Sequence, residues 1–224
     1  MDVKKNYLSL VEEVKNLAPD REIKIVCVSK GVDVDKILAV IEAGAKIIGE
    51  NRVQEARKKY EYIKGKVEFH MIGHLQTNKV KYAVKMFDMI QSVDSVKLAK
   101  EIDKRAKAIN KIQKTLVEVN TSGEESKYGI SPSELPILLE EIEKLDNIQV
   151  LGLMTVGPLT EDENRIRNSF ATLRKLRDEY RKKFSGNIIL EELSMGMTDD
   201  YRIAIEEGST MIRIGRKIFG ERKY

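Results

Sequence analysis

The 224 residues contain no tryptophan, a single cysteine and four prolines, and aromatic residues make up only 6%. One cysteine cannot close an internal disulfide, which excludes a disulfide scaffold and suits a reducing compartment. No window is apolar for long enough to span a membrane. The opening segment, MDVKKNYLSLVEEVKNL, also lacks the uninterrupted apolar stretch of a signal peptide, so the chain reads as cytoplasmic. Neither sign of charge dominates: 40 basic residues face 36 acidic ones, for a net +4. The charges are mixed along the chain and form no arm for nucleic acid. No linker rich in Pro, Gly or Ser divides the sequence and no internal repeat is evident, so residues 1–224 read as one domain.

What is present is a globular balance, 42% hydrophobic and 34% charged. Val3, Tyr7, Leu10, Val14 and Leu17 recur at helical spacing and predict an opening amphipathic helix. Apolar, β-branched runs then predict strands at 23–30, 46–50, 67–73, 89–93, 115–119, 149–156, 191–194 and 211–214. Helical patterns lie between them. One follows Asp33, an N-cap by type, and stops at Gly44; others cover 51–60, 76–86 and the Ala99, Ile102, Ala106, Ile109 series. Ser131-Pro132-Ser133-Glu134 has the form of a capping box, although Pro136 argues for a start at Ser133. A long helix carries Ile166, Phe170, Leu173 and Tyr180, and a last one covers 198–207 before Gly208. Strict alternation implies a parallel sheet, and eight units in this length imply a single (β/α)8 TIM-type barrel with an N-terminal helix. An open doubly wound sheet is the alternative, but no G-x-G-x-x-G follows a strand.

In a barrel the chemistry collects at the carboxyl ends of the strands. The first strand, Val26-Cys27-Val28-Ser29-Lys30, ends in an amine. Alternation puts Val26, Val28 and Lys30 on one face, and Cys27 opposite them as a structural thiol. The other ends carry Asn51, Gly73-His74, Ser92, Asn120, Met154-Thr155, Ser194-Met195-Gly196 and Arg213-Ile214-Gly215. An amine held at a strand end can serve Schiff-base chemistry. Barrels often bind phosphate near their last two strands, where this chain offers Ser194 and the Gly215-Arg216 backbone.

The motifs VSK, GENRVQE (49–55), FHMIGHLQTNK (69–79), GLMTVG (152–157), LSMGMTDD (193–200) and GSTMIRIGRKIFG (208–220) occur in that order. In these the chain resembles the pyridoxal phosphate homeostasis family over nearly its whole length, and through it the barrel domain of alanine racemases. The resemblance implies a single barrel that holds pyridoxal 5'-phosphate as an aldimine on Lys30. It implies Asn51 near the cofactor's phenolic oxygen and Arg213 facing the pyridine nitrogen. It also implies a phosphate cradle made by the Ser194 hydroxyl and the Gly215 and Arg216 amides. Arg216 stands where the family often has Thr, so a backbone contact would survive but a hydroxyl contact would not. Met154 and Met195 are candidates to pack on the ring, with core filling as the plain alternative.

Other chemistries are weaker. His70 and His74 would share a strand face, but no third metal ligand is evident nearby. Ser194 lacks the G-x-S-x-G elbow of a hydrolase. Asp199 and Asp200 are expected to favour their helix through its dipole. Lys127, in the loop after the fifth strand, is either solvated or able to reach the mouth. The functional expectation is a carrier in intracellular vitamin B6 homeostasis that holds and releases the cofactor, possible partners being apoenzymes that use it. The alternative is an amino-acid racemase, which needs a proton donor or acceptor on each face of the substrate. The two-domain racemases supply the second group from a carboxyl-terminal domain. This chain ends nine residues after Gly215, and only Tyr128 or Tyr201 is left to substitute.

Overall fold

A computed structural model describes residues 2–221. Eight parallel strands close into a barrel in sequence order, so the (β/α)8 expectation holds and the open sheet does not. The strands are β1 (Lys24–Val28), β2 (Ile47–Glu50), β3 (Glu68–Met71), β4 (Met89–Val93), β5 (Gln113–Glu118), β6 (Ile148–Met154), β7 (Ile188–Ser194) and β8 (Met211–Ile214). The helices are α1 (Val3–Leu17), α2 (Val34–Glu42), α3 (Val53–Ile63), α4 (Val80–Met86), α5 (Val96–Lys107), α6 (Leu135–Glu143), α7 (Glu163–Tyr180), α8 (Tyr201–Glu206) and α9 (Arg216–Phe219). The four-residue α9 was not anticipated from sequence. Among the described residues, no helix is long and apolar enough to cross a membrane.

Alternation along the strands sorts the apolar residues into two layers. Val26, Ile47, Ile72, Met89, Leu116, Met154 and Met211 fill the barrel interior. Cys27, Ile48, Phe69, Val117 and Ile212 point outward against the helices. Each buried side chain of Leu or Ile size contributes on the order of 1.5–3 kcal/mol, and the helices supply most partners of the outer layer. Cys27 is fully buried there, and burial pushes its thiol up to about 12, as a structural thiol should be.

Several boundaries move for local reasons. The first and sixth strands stop short of Lys30 and Val156, because backbone pairing ends where the chain turns into the loops above the barrel. Leu17 and Ile109 sit at helix ends and stay 38% and 39% exposed, so the last apolar position of each pattern does not reach the core. Ser131 and Glu134 do form the reciprocal capping box, over a 3-10 turn at Pro132–Glu134. Pro136 then falls in the first turn of α6, where its missing N–H costs nothing, so no shift of the start to Ser133 is needed. β7 begins three residues earlier than its apolar pattern suggests, with its register broken between Val150 and Gly152 of β6. Leu190, at φ 53, makes that irregularity, an uncommon backbone for a non-glycine residue.

Candidate functional site at the barrel mouth

The carboxyl ends of β1 and β2 are tied together by a buried charge network. Glu50 is fully buried and pairs with Lys59 of α3. Its Oε1 also accepts from Ser29 Oγ at 2.6 Å, and its Oε2 accepts from the Asn51 amide at 3.3 Å. Lys59 Nζ donates in turn to the Ser29 carbonyl at 2.6 Å. Every contact falls on the residue just before Lys30 or on Asn51, so the pair fixes where both emerge. Gly73 lies equally close: a Cβ there would stand 2.5 Å from the Asn51 carbonyl oxygen. Only glycine lets β3 approach Asn51 this tightly.

Lys30 follows β1 and is partly buried at the rim. Among the described residues, its amine has no ion pair or hydrogen bond, whereas Lys59 and Lys127 are both bonded. The Asn51 side chain beside it has a buried Oδ1 with no partner. A buried unpaired amide oxygen costs about 1–3 kcal/mol, a cost that a ligand at this spot would relieve.

Across the mouth, Arg213 of β8 is buried and held by two bonds. Nη1 donates to Ser194 Oγ and Nη2 to the Thr155 carbonyl, both at 2.7 Å. Ser194 donates onward to Gln91 Oε1 at 2.6 Å, and Gln91 Nε2 meets His70 Nδ1 at 2.9 Å. Burial pulls the guanidinium down to about 10, against the opposing pull of Asp200 and Glu118, so it stays charged at neutral pH. Glu118, at the carboxyl end of β5, has a buried Oε2 without a partner. Burial, then repulsion from Asp94, pushes its carboxyl up to about 7, with Arg213 opposing.

Five of the expected residues, Lys30, Asn51, Arg213, Gly215 and Arg216, line one cavity of about 280 Å3. Gly215 and Arg216 open α9, and their amides have no backbone acceptor among the described residues. The Arg216 guanidinium is turned to Asp199, with which it forms an ion pair, so its charge is largely neutralised. Three expected residues stand elsewhere. Ser194 is fully buried beneath the mouth, its hydroxyl held between Gln91 and Arg213. Met154 belongs to the interior layer under the cavity, and Met195 packs in the outer layer against the helices. Met195 therefore fills core and does not face the mouth.

The cavity also includes Thr198 and Met197, which sequence reasoning passed over, with Asp199, Val28, Ile72 and Val156. The signal for Thr198 was its place in LSMGMTDD, just past the turn at Gly196 (φ 97). Asp199 and Asp200 directly precede α8, with Asp200 at its N-cap; Asp199 also pairs with Arg216, and buried Asp200 accepts from the Met197 amide at 2.5 Å. His70 and His74 belong to different networks. His70 is fully buried, while His74 at the rim stacks on Tyr128 at 4.2 Å and meets Asp94 at 3.2 Å. Lys127 donates to the Gly157 carbonyl at 2.5 Å and pairs with Glu124, in a neighbouring cavity. Tyr201 is buried against Glu13 and Lys217, away from the mouth, whereas Tyr128 borders a second cavity that shares Lys30.

The closed parallel barrel, with its unpaired lysine after β1 and arginine on β8, shares its fold with the barrel of alanine racemases. The profile described as "Alanine racemase, N-terminal domain" matches residues 5–223. Within that fold the chain belongs to the pyridoxal phosphate homeostasis family. It is 48% identical over 202 residues to the Aquifex aeolicus protein of that name, covering 90% of this chain and 88% of the relative. The human protein of the same name is 40% identical over 212 residues, covering 90% and 77%. Among solved structures, PipY of Synechococcus elongatus with PLP bound superposes with a TM-score of 0.87 at 31% identity, covering 97% of this chain and 100% of PipY. Alanine racemase of Clostridium difficile shares the fold at 17% identity, with a TM-score of 0.78, over 98% of this chain and 57% of its own.

Proposed function

We propose that this chain binds pyridoxal 5'-phosphate at the barrel mouth as an aldimine with Lys30, and serves intracellular vitamin B6 homeostasis by holding and releasing it. The observation that carries the reading is the single cavity joining an unpaired amine, an unpartnered amide and a buried arginine to two free backbone amides. The residues fit the group. When bound, it supplies an aldehyde for reversible condensation with an amine and an aromatic ring able to take up electrons. Lys30 captures the aldehyde, and the Asn51 side-chain amide N–H donates to the phenolic oxygen. Arg213 faces the pyridine nitrogen as a fixed donor. A cation there disfavours protonating the ring, which weakens it as an electron sink and favours storage over turnover.

The phosphate is held by the Gly215 and Arg216 amides at the start of α9. The hydroxyl assigned to Ser194 from sequence passes to Thr198, which lines the cavity with them. Ser194 acts instead as the positioning residue for Arg213. The recipients are apoenzymes that use the cofactor, in the cytoplasm. A racemase reading draws on one observation, that Tyr128 borders the second cavity at Lys30. Incubating the loaded protein with L- or D-amino acids in deuterated water separates the two. The carrier reading expects activation of an added apoenzyme and no α-deuteration at enzyme-like rates. Rapid α-deuteration, lost in Lys30→Ala and Tyr128→Phe, would establish the racemase.

A further inference from the structure

Two cavities border Lys30, and the cofactor reading uses only one of them. The second, about 700 Å3, lies over the ends of β2 and β3 and shares only Lys30 and Asn51 with the first. Its charged walls are Lys30, Arg52, Lys79 and Glu55, three cations against one carboxylate. Among the described residues, neither Arg52 nor Lys79 has an ion pair, although 20 pairs occur in the molecule. Arg52 precedes α3 without capping it, and Glu55 is engaged by the Gly31 amide at 3.0 Å. Unpaired cations lining one concave site attract an anion and repel a simple ammonium.

We propose that this cavity is the acceptor subsite of the carrier, selecting amines that also bear a carboxylate, namely free α-amino acids. The inference rests on the cofactor reading above. A carrier discharges onto an amine, and that amine must reach the Lys30 nitrogen. With the ring in the first cavity, the second offers a separate approach to Lys30. Once Lys30 is engaged with the cofactor, Arg52 and Lys79 against Glu55 leave one net positive charge, which matches a single carboxylate. The exchange itself balances. The neutral amine of the acceptor bonds the aldehyde carbon as the bond to Lys30 Nζ breaks; with the linking nitrogen protonated before and after, one proton passes from the acceptor to Lys30, which leaves as a neutral amine. No water and no oxidant are consumed.

His74 borders the same cavity, and the chain has only two histidines, the other fully buried. Its ring proton is therefore a local reporter in NMR spectra of the protein without cofactor. L-alanine should shift the His74 signal saturably, while L-alaninamide, the same skeleton without the negative charge, should not. In the loaded protein, Arg52→Gln with Lys79→Gln should slow discharge to L-alanine at least about tenfold, the scale of losing charge-assisted bonds, and leave discharge to L-alaninamide unchanged or faster. Equal effects on both amines, no His74 shift, or saturation by inorganic phosphate at lower concentration than by alanine would overturn the subsite. Cofactor absorbance on loading, read in the same samples, keeps the two readings apart. Failure of the unsubstituted protein to load defeats the carrier itself, whereas normal loading without carboxylate selection defeats only this proposal.

Discussion

At the scale of single residues, the chemistry-bearing positions that were legible are those at strand ends whose type is unusual there. Lys30 and Arg213 stand out because a buried strand rarely carries a cation without a task. Ser194 and Met195 were harder to read. The period of two sends neighbours to opposite faces, so both could not look into one cavity, and Met195 proves to be the one that packs outward. Glu118 carried no sequence signal at all, since its burial and its unpartnered oxygen arise from strands distant in the chain. Its carboxyl titrates near 7 in the fold against an ordinary 4.5, so the native state holds the extra proton between those values. The contribution of Glu118 to stability is therefore fully present below about 4.5 and is lost as pH rises through 7. Denaturant midpoints measured across that window should fall for the parent protein. Glu118→Gln, which keeps the shape and removes the charge, should flatten the decline; a parallel decline in the variant would assign it to another group.

At the scale of elements, helix and strand identities followed from period, while their ends followed from contacts that period does not encode. The capping box at Ser131 was visible because both of its partners lie within four residues. The Glu50–Lys59 pair was not, although Lys59 follows the end of GENRVQE by only four residues, because it depends on α3 folding back over β1 and β2. This pair sets the exit of Lys30 and Asn51. Glu50→Gln leaves a buried ammonium without its counter-ion, and the expected loss is about 3–5 kcal/mol of folding stability. Urea unfolding checks it. Replacing both partners together, Glu50→Gln with Lys59→Met, should cost less than the single change. If the single change is harmless, the network is not what fixes the two strand ends.

At the scale of the whole molecule, the barrel was the most legible feature, because eight alternations of period two and period 3.6 leave few topologies. What sequence could not show is how two of the cavities at the barrel mouth come to meet at one lysine. That junction depends on the loops after β2, β3 and β7, where no periodicity operates. It also gives the account its central claim, that Lys30 and no other lysine bonds the cofactor. Purified protein incubated with pyridoxal 5'-phosphate should show a visible absorption band that borohydride abolishes. Peptide mass mapping should then place the pyridoxyl group on Lys30, and Lys30→Ala should show neither band nor label. Finding the label chiefly on Lys79 or Lys127, or an undiminished band in Lys30→Ala, would contradict the account.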